Sequence, residues 1–406
     1  MTAGPVRAVI TRAVVESVLR TLPLRLRVAR PGETVPPKAD GGLPELVINR
    51  PGPFYRRIAG GGLVGLGEAY MAGDWDSAEL AAVLTVLARG VGRLFPAPLL
   101  RLRPLLRPPG ASDRPDSDNQ DIAGSARNSR LHYDLGNDMF ASFLDETLTY
   151  SCALFGTGPD GAPAASADLL ADAQRRKTDA MLDLAGVRAG TRLLEIGTGW
   201  GELAIRAGLR GAAVVSITNS AEQHKLAQRR VAAAGLAGRV DVRLCDYREV
   251  TGQYDAVVSV EMIEAVGAGY WPAYFTAIDR ALAPGGRVGL QAITMPHRHM
   301  LATGSSHTWI DRYIFPGCLI PSPRVIEETV AGHTSLTIAS VRWLGPHYAE
   351  TLRIWGGRFT AAADQLGALG FDPVFQRMWR FYLAYCEAGF RSGRLDVGQF
   401  LLVRRD

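Results

Sequence analysis

The stretch RLLEIGTGWGELA, residues 192–204, decides the fold class of this chain. Its apolar residues Leu193, Leu194 and Ile196 predict a short buried strand, and Glu202 to Leu209 has the pattern of a helix that follows it. Three glycines between these elements predict a tight turn. Because glycine has no Cβ, such a turn lets the backbone approach a ligand closely at the carboxyl end of a parallel strand, where open α/β sheets bind ligands.

Length and composition indicate a globular protein of two or three domains. The chain has 406 residues, of which 47% are hydrophobic and 21% are charged. The sequence contains no uninterrupted apolar run of about 18 residues, and its start lacks the features of a signal peptide. Four scattered cysteines form no CxxC motif, so we expect no metal site, no disulfide framework and a reducing compartment.

Positive charge is concentrated in the first quarter of the chain. Residues 1–110 contain 15 Lys and Arg against 8 Asp and Glu, whereas the whole chain has a net charge of +5. A basic segment on a nearly neutral body favours an anionic partner, either nucleic acid or a membrane surface. A basic face that is merely solvated is the alternative.

A change in composition predicts the domain organisation. Residues 105–130 are rich in Pro, Ser, Asp and Gly and predict a linker between a front domain, 1–104, and a main domain, 131–406. In the front domain the pattern predicts a helix over 5–22, a strand over 43–50 and an apolar stretch over 80–102.

Strands and helices alternate in the main domain, which predicts a doubly wound α/β fold with a parallel sheet. A helix over 371–394 and an edge strand over 399–403 close the chain. The predicted strands are 191–196, 213–217, 240–244, 256–260 and 287–292, and the predicted helices between them are 202–209, 221–234 and 271–283.

The glycine loop discriminates between two classes of cofactor. A dinucleotide fold has the pattern GxGxxG and an acidic residue about 20 positions later. Here the loop is GTGWG, and the segment after the second predicted strand, residues 216–220, contains no acid. Both features favour S-adenosylmethionine. Asp246-Tyr247-Arg248 and the turn at 282–287 support this prediction, and a tight turn without a ligand is the alternative.

An ordered set of further motifs runs through nearly the whole chain, and with it the sequence resembles the cyclopropane-fatty-acyl-phospholipid synthase family. The resemblance implies a Rossmann-like S-adenosylmethionine methyltransferase domain with a smaller N-terminal α+β lipid-binding domain. It also implies methyl transfer to the cis double bond of a phospholipid acyl chain, with bicarbonate as a second cofactor. The motifs are VGLGEAYMAG (64–73), HYDLGNDMF (132–140), LTYSCALF (148–155), LEIGTGWG (194–201), ITNSAEQ (217–223), SVEMIEAVG (259–267), YIFPGCLIPS (313–322) and YLAYCEAGF (382–390).

The resemblance also implies roles for individual residues. A polar cluster would hold bicarbonate, which would act as the base, and Glu264 would anchor it. Tyr382 would donate its hydroxyl to this cluster, with Tyr385 as the alternative donor. The implied catalytic residues are Cys152, Glu264, Gln291, Tyr382 and the backbone of Ile293. The implied cofactor-binding residues are Tyr150, Ser151, Glu195, Gly197, Gly199, Trp200, Gly201, Thr218, Ser220, Gln223, Asp246, Tyr247 and Arg248, with His132, Tyr133 and Asn137 as lid residues.

Gln291 departs from the family pattern, which has a histidine among the bicarbonate ligands. Glutamine donates a hydrogen bond but does not titrate, so both a cyclopropane and a methylene-branched product stay open. The resemblance implies an anionic membrane surface as a partner, a reductase if the product is a methylene branch, a homodimer, and a cytoplasmic location at the inner face of the plasma membrane. The alternatives are a methyltransferase of small soluble molecules and a non-catalytic lipid-binding protein.

Overall fold

The computed structural model describes residues 12–13, 15–30, 42–94, 135–304 and 307–405. The predicted linker, the start of the predicted helix 5–22, the end of the apolar stretch 80–102, and His132 and Tyr133 lie outside these residues. The chain forms two compact units. The first unit comprises 1–113, 306–314 and 359–394, and the second comprises 114–305, 315–358 and 395–406.

Strands and helices occur in both units. The strands are β1 (Arg25–Val28), β2 (Glu45–Ile48), β3 (Trp75–Asp76), β4 (Gly156–Thr157), β5 (Pro163–Ala164), β6 (Arg192–Ile196), β7 (Ala213–Thr218), β8 (Val240–Leu244), β9 (Tyr254–Val260), β10 (Leu282–Thr294), β11 (Leu336–Trp343) and β12 (Asp396–Arg404). The helices are α1 (Pro51–Met71), α2 (Leu80–Leu94), α3 (Asn137–Ala141), α4 (Leu170–Leu184), α5 (Glu202–Leu209), α6 (Ala221–Ala233), α7 (Ile263–Val266), α8 (Trp271–Ala281), α9 (His297–Gly304), α10 (Trp309–Tyr313), α11 (Pro323–His333), α12 (Gly345–Ala361), α13 (Ala363–Ala368) and α14 (Pro373–Arg391).

The second unit is built on a seven-stranded sheet with the order β11-β12-β10-β9-β6-β7-β8. Strands β6 to β10 pair in parallel, and β12 is antiparallel to both of its neighbours. Neighbouring residues of β6 point to opposite faces of a sheet: Leu194 packs in one hydrophobic core and Leu193 in the other. Both faces are therefore covered, which confirms the predicted doubly wound α/β fold.

The position of the last strand differs from the prediction. Residues 399–403 were expected at an edge, but β12 lies between β10 and β11, and Phe400 and Leu402 are buried. The edge strand on this side of the sheet is β11, which the sequence analysis did not identify. Its mostly exposed side chains lack the apolar alternation that marks a half-buried strand.

The first unit combines a small sheet with helices from distant parts of the chain. Strand β1 pairs in parallel with β2, which pairs antiparallel with β3. Helix α14 packs on α1 and α2, with the Phe381 and Tyr70 rings 5.5 Å apart and Arg394 Nε donating to Ala88 O at 2.6 Å. A C-terminal segment, residues 359–394, thus belongs to the first unit. The predicted domains 1–104 and 131–406 place this segment in the main domain instead.

Helix α1 continues through the glycine-rich segment with a kink at Gly62. Helix α2 buries Val83, Leu84 and Leu87. Across the described part of the chain, none of the helices combines the length and the apolar character that crossing a bilayer requires.

Candidate active site

The glycine loop follows β6 at the carboxyl end of the parallel sheet. Gly197, Gly199 and Gly201 have φ angles of +98°, +52° and +92°, which favour glycine. A Cβ at Gly197 would lie 2.5 Å from Met262 Cγ, whereas a Cβ at Gly199 would meet no atom within 4 Å. Gly197 is therefore required by packing, and an added Cβ at Gly199 would enter open space.

Glu195, on β6, is connected to this loop by hydrogen bonds through Ser216. The Ser216 hydroxyl donates to its carboxylate at 2.5 Å and lies 2.7 Å from the Thr198 hydroxyl. Burial raises the pKa of Glu195 to about 8. These contacts position the loop, and direct contact of Glu195 with the cofactor stays a prediction.

Three predicted cofactor residues meet at the end of β7, beside the loop. Ser220 caps α6 by accepting the backbone N–H of Gln223 at 3.3 Å, and its own N–H donates to the Thr218 hydroxyl at 3.1 Å. The Thr218 hydroxyl lies 3.0 Å from Gln223 Oε1. The structure thus brings these three residues together in a helix cap.

Asp246, Tyr247 and Arg248 follow β8 at the same edge of the sheet. Asp246 caps a short 3-10 turn and accepts from Arg248 Nε at 2.7 Å. The buried Tyr247 ring meets the Tyr274 ring at 5.5 Å, and its hydroxyl has no hydrogen-bond partner within the described residues. A polar side chain and an aromatic ring thus lie side by side here, and the implied contact of these residues with the cofactor stays a prediction.

Aromatic residues form the next part of the site. Trp200 Nε1 donates to Asn137 Oδ1 at 2.7 Å. The Phe140 ring lies 5.1 Å from the Trp200 ring and 5.3 Å from the Tyr150 ring. Helix α3, which carries the predicted lid residue Asn137, is thereby connected to the glycine loop.

Ser151 contacts a buried cation that the sequence analysis missed. Lys177 on α4 is 2% exposed and donates to the Ser151 hydroxyl at 2.6 Å. Burial lowers the pKa of Lys177. The sequence contained a weak signal, because a lysine within the apolar pattern of a helix is rarely buried without a partner.

Glu264 lies on α7, where the Ile293 backbone N–H donates to its Oε1 atom. Its Oε2 atom is buried without a hydrogen-bond partner among the described residues. Burial and the nearby charge of Glu261 raise the pKa of Glu264 to about 8. The structure thus brings Glu264 and the Ile293 backbone together, and the role of each in the reaction stays a prediction.

Glu261 is a second carboxylate, which the sequence analysis did not assign. Its Oε1 accepts the Cys152 backbone N–H at 2.9 Å and Gln291 Nε2 at 2.7 Å, and its Oε2 accepts the Tyr348 hydroxyl at 2.7 Å. Gln399 Nε2 in turn donates to Gln291 Oε1 at 3.0 Å. The only sequence signal was a glutamate three positions before Glu264, in SVEMIEAVG.

Cys152 takes part through its backbone. Its thiol is fully buried, 3.2 Å from Ala153 O, and burial raises its pKa well above the usual value. A buried neutral thiol does not act as a nucleophile. Tyr382 lies in the first unit, where its ring meets Trp379 at 5.2 Å, and its role in the cluster stays a prediction.

The sequence profile of the Mycolic acid cyclopropane synthetase family matches residues 120–400. The tuberculostearic acid methyltransferase UfaA1 of Mycobacterium tuberculosis is 54% identical over 405 residues, which cover 99% of this chain and 93% of the relative. The cyclopropane-fatty-acyl-phospholipid synthase of Escherichia coli K12 is 34% identical, with 86% of each chain covered.

Solved structures agree with these sequence comparisons. The mycolic acid cyclopropane synthase CmaA1, in complex with SAH and CTAB, superimposes with a TM-score of 0.61 at 32% identity, over 68% of this chain and 97% of that chain. MmaA2 of Mycobacterium tuberculosis gives the same TM-score at 31% identity, again over 68% of this chain and 97% of that one. With its glycine loop, its parallel sheet and these relatives, the chain belongs to the mycolic acid cyclopropane synthetase family and is an S-adenosylmethionine-dependent methyltransferase.

Proposed function

We propose that this enzyme transfers a methyl group from S-adenosylmethionine to the cis double bond of an unsaturated phospholipid acyl chain and forms a methylene branch. The observation that carries this proposal is a pair of carboxylates, Glu261 and Glu264, next to the glycine loop. Met262, between them, contacts Gly197 through its side chain. The 54% identity to a tuberculostearic acid methyltransferase favours the branched product over the ring.

The chemistry of an alkene explains why carboxylates are needed. The double bond is a weak nucleophile and has no acidic proton to remove before the methyl group is added. When bound, S-adenosylmethionine supplies a methyl group on a positively charged sulfur. Methylation leaves a carbocation on the acyl chain, so the site excludes water, stabilises positive charge and accepts one proton.

Residues around the glycine loop match the binding requirements. Gly197, Gly199 and the Tyr150–Ser151 segment would hold the methionine part of the methyl donor. Thr218 and Gln223 would face its ribose, and Tyr247 would flank its adenine. The aromatic rings of Phe140, Tyr150 and Trp200 would keep water out and stabilise positive charge by cation–π contacts.

The resemblance implied a bound bicarbonate, but the hydrogen-bond donors that would hold it already bond to the two glutamates. Cys152 N–H and Gln291 donate to Glu261, and Ile293 N–H donates to Glu264. The residues therefore do not fit a bound bicarbonate in this arrangement, and no proton is assigned to it.

The first unit would bring the enzyme to its substrate as a peripheral protein of an anionic membrane surface, at the cytoplasmic face. Arg25 and Arg56 are exposed on this unit, as is Leu63 on α1. Electrostatic attraction to anionic lipid headgroups weakens as the salt concentration rises. A separate reductase would then add hydride and a proton to the methylene branch to give a methyl branch. A homodimer stays a prediction.

Incubation of the full chain with dioleoyl phosphatidylglycerol vesicles and S-adenosylmethionine tests the proposal. Fragmentation mass spectrometry locates the added carbon, and proton NMR distinguishes vinylidene protons from cyclopropane ring protons. We expect vinylidene signals. Ring protons would contradict the branched product, and methylation of soluble acceptors without vesicle modification would favour the small-molecule alternative. Calorimetry without a binding signal for S-adenosylmethionine would favour the lipid-binding alternative.

A further inference from the structure

The carboxylate of Glu261 is held by donors from three separate parts of the second unit. Cys152 lies in the segment before β4, Gln291 on β10 and Tyr348 on α12. Glu261 itself has a φ of +52°, a conformation that a non-glycine residue adopts at a cost. The residue as a whole is half-buried, and all three donors converge on its carboxylate. A carboxylate that several donors hold in one orientation is expected of a group that acts on a substrate.

The hydrogen bonds decide which of the two neighbouring carboxylates is charged. Burial raises the pKa of Glu261, but its three hydrogen-bond donors oppose this shift and favour the ionised form. Glu264 accepts one backbone N–H, and its second oxygen is buried without a partner in the described residues. Because two adjacent carboxylates do not readily ionise together, the negative charge resides on Glu261, and Glu264 stays protonated near neutral pH.

A bicarbonate ion at this place would be a second anion beside Glu261. The donors that it needs already bond to the two glutamates, and Lys177, the buried cation nearby, donates to Ser151. Burial of an anion without donors is strongly unfavourable. The protein's own carboxylate thus occupies the place that an external base would take.

From this arrangement we infer that Glu261 is the catalytic base and that the enzyme works without bicarbonate. The inference rests on the proposed function. The alkene electron pair forms the new C–CH3 bond, and the S–CH3 pair stays on sulfur. A hydride then shifts to the neighbouring cationic carbon and leaves the charge on the methylated carbon. A C–H bond of the added methyl group breaks, its electron pair forms the C=CH2 double bond of the methylene branch, and its proton passes to the Glu261 carboxylate, which later releases it to solvent.

Two measurements on the full chain test this inference with dioleoyl phosphatidylglycerol vesicles. The first compares wild-type turnover in buffer freed of carbon dioxide with turnover after addition of bicarbonate, and we expect equal rates. The second uses Glu261→Gly, because glycine suits a φ of +52° and leaves Cys152 N–H and Gln291 free to hold an anion. We expect a loss of about 10²–10⁴-fold without bicarbonate, the usual contribution of a general base, and partial recovery when bicarbonate is added.

Glu261→Gln and Glu328→Gln serve as matched variants. The first fills the same space with an amide that accepts no proton, so it should be inactive and insensitive to bicarbonate. Glu328 is exposed on α11 and pairs with Arg324, so Glu328→Gln should keep full activity. Calorimetry with S-adenosylmethionine verifies that each variant is folded and binds the methyl donor.

A wild-type rate that falls several-fold on removal of bicarbonate would overturn the inference without recourse to any variant. Full activity of Glu261→Gly in bicarbonate-free buffer would do the same. Both outcomes leave the proposed function intact, because the wild type still modifies acyl chains. If the wild type binds S-adenosylmethionine but modifies no vesicle lipid under either condition, the proposed function itself fails.

Discussion

Replacement of Gly199 with alanine tests whether the glycine loop holds the methyl donor. Gly199 has a φ of +52°, and an added Cβ would meet no protein atom within 4 Å. The cost to the fold is therefore only that of placing a non-glycine residue in the left-handed region, about 1–2 kcal/mol. This corresponds to a fall in Tm of roughly 2–8 °C.

In the proposed placement of the cofactor, the same methyl group projects into the space that S-adenosylmethionine would fill. If S-adenosylmethionine lies against this backbone, the substitution forces it away from the loop. Loss of about 1.4 kcal/mol of binding free energy weakens Kd tenfold, and we expect a decrease of at least about that size.

Calorimetric titration with S-adenosylmethionine measures the effect, and thermal unfolding measures stability in parallel. Gly235→Ala is the matched control, because Gly235 has a φ of +71°, also has no atom within 4 Å of an added Cβ, and lies in the same unit after α6. Both variants should lose similar stability, and only Gly199→Ala should lose affinity. Equal affinities for the two variants would refute the placement of the cofactor at this loop.

Three further predictions concern other parts of the chain. Burial raises the pKa of Glu264 to about 8 from 4.5 for an ordinary glutamate, so the free energy of unfolding should fall as the pH rises from about 4.5 to 8. Urea unfolding of Glu264→Gln should show a smaller decrease across this range. The same decrease in the variant as in the wild type would argue against a neutral Glu264. Because a protonated glutamate and a glutamine are both neutral, the same variant should keep most vesicle activity and bind S-adenosylmethionine normally; loss of most activity would show that Glu264 acts in its ionised form. The double variant Arg25→Glu, Arg56→Glu should bind anionic vesicles more weakly than the wild type in a sedimentation assay at low salt. Arg229→Glu, a charge change of the same sign at an exposed site of the second unit, should bind as the wild type does. Equal vesicle binding by the two variants would contradict docking through the first unit.

Charge reversal is a cleaner test of docking than deletion of the front segment. Helix α14 lies in the first unit and packs on α1 and α2, and Arg377 Nη1 donates to Asp76 at 2.8 Å. Deletion of residues 1–105 would remove these partners and expose the buried face of α14. A loss of vesicle activity after such a deletion would then not distinguish docking from unfolding.

Elements encoded by contiguous residues were predicted closely. Helix Glu202–Leu209 and strand Val240–Leu244 have the predicted bounds, because apolar spacing and glycine punctuation are local signals. Strand pairing is not local, which explains why 399–403 was expected at an edge although β12 lies between β10 and β11. The packing of residues 373–391 with the front segment also depends on contacts between residues far apart in the chain.

The sequence by itself determined the α/β fold, the glycine loop and the class of methyl donor, because each depends on residues within a few positions of one another. It also indicated Glu264 and Ile293 through motifs of the same kind. Only the tertiary structure showed the surroundings of Glu261, whose hydrogen bonds come from residues 109, 30 and 87 positions away. A carboxylate acquires its charge state from the donors around it, and those donors meet only when the chain has folded.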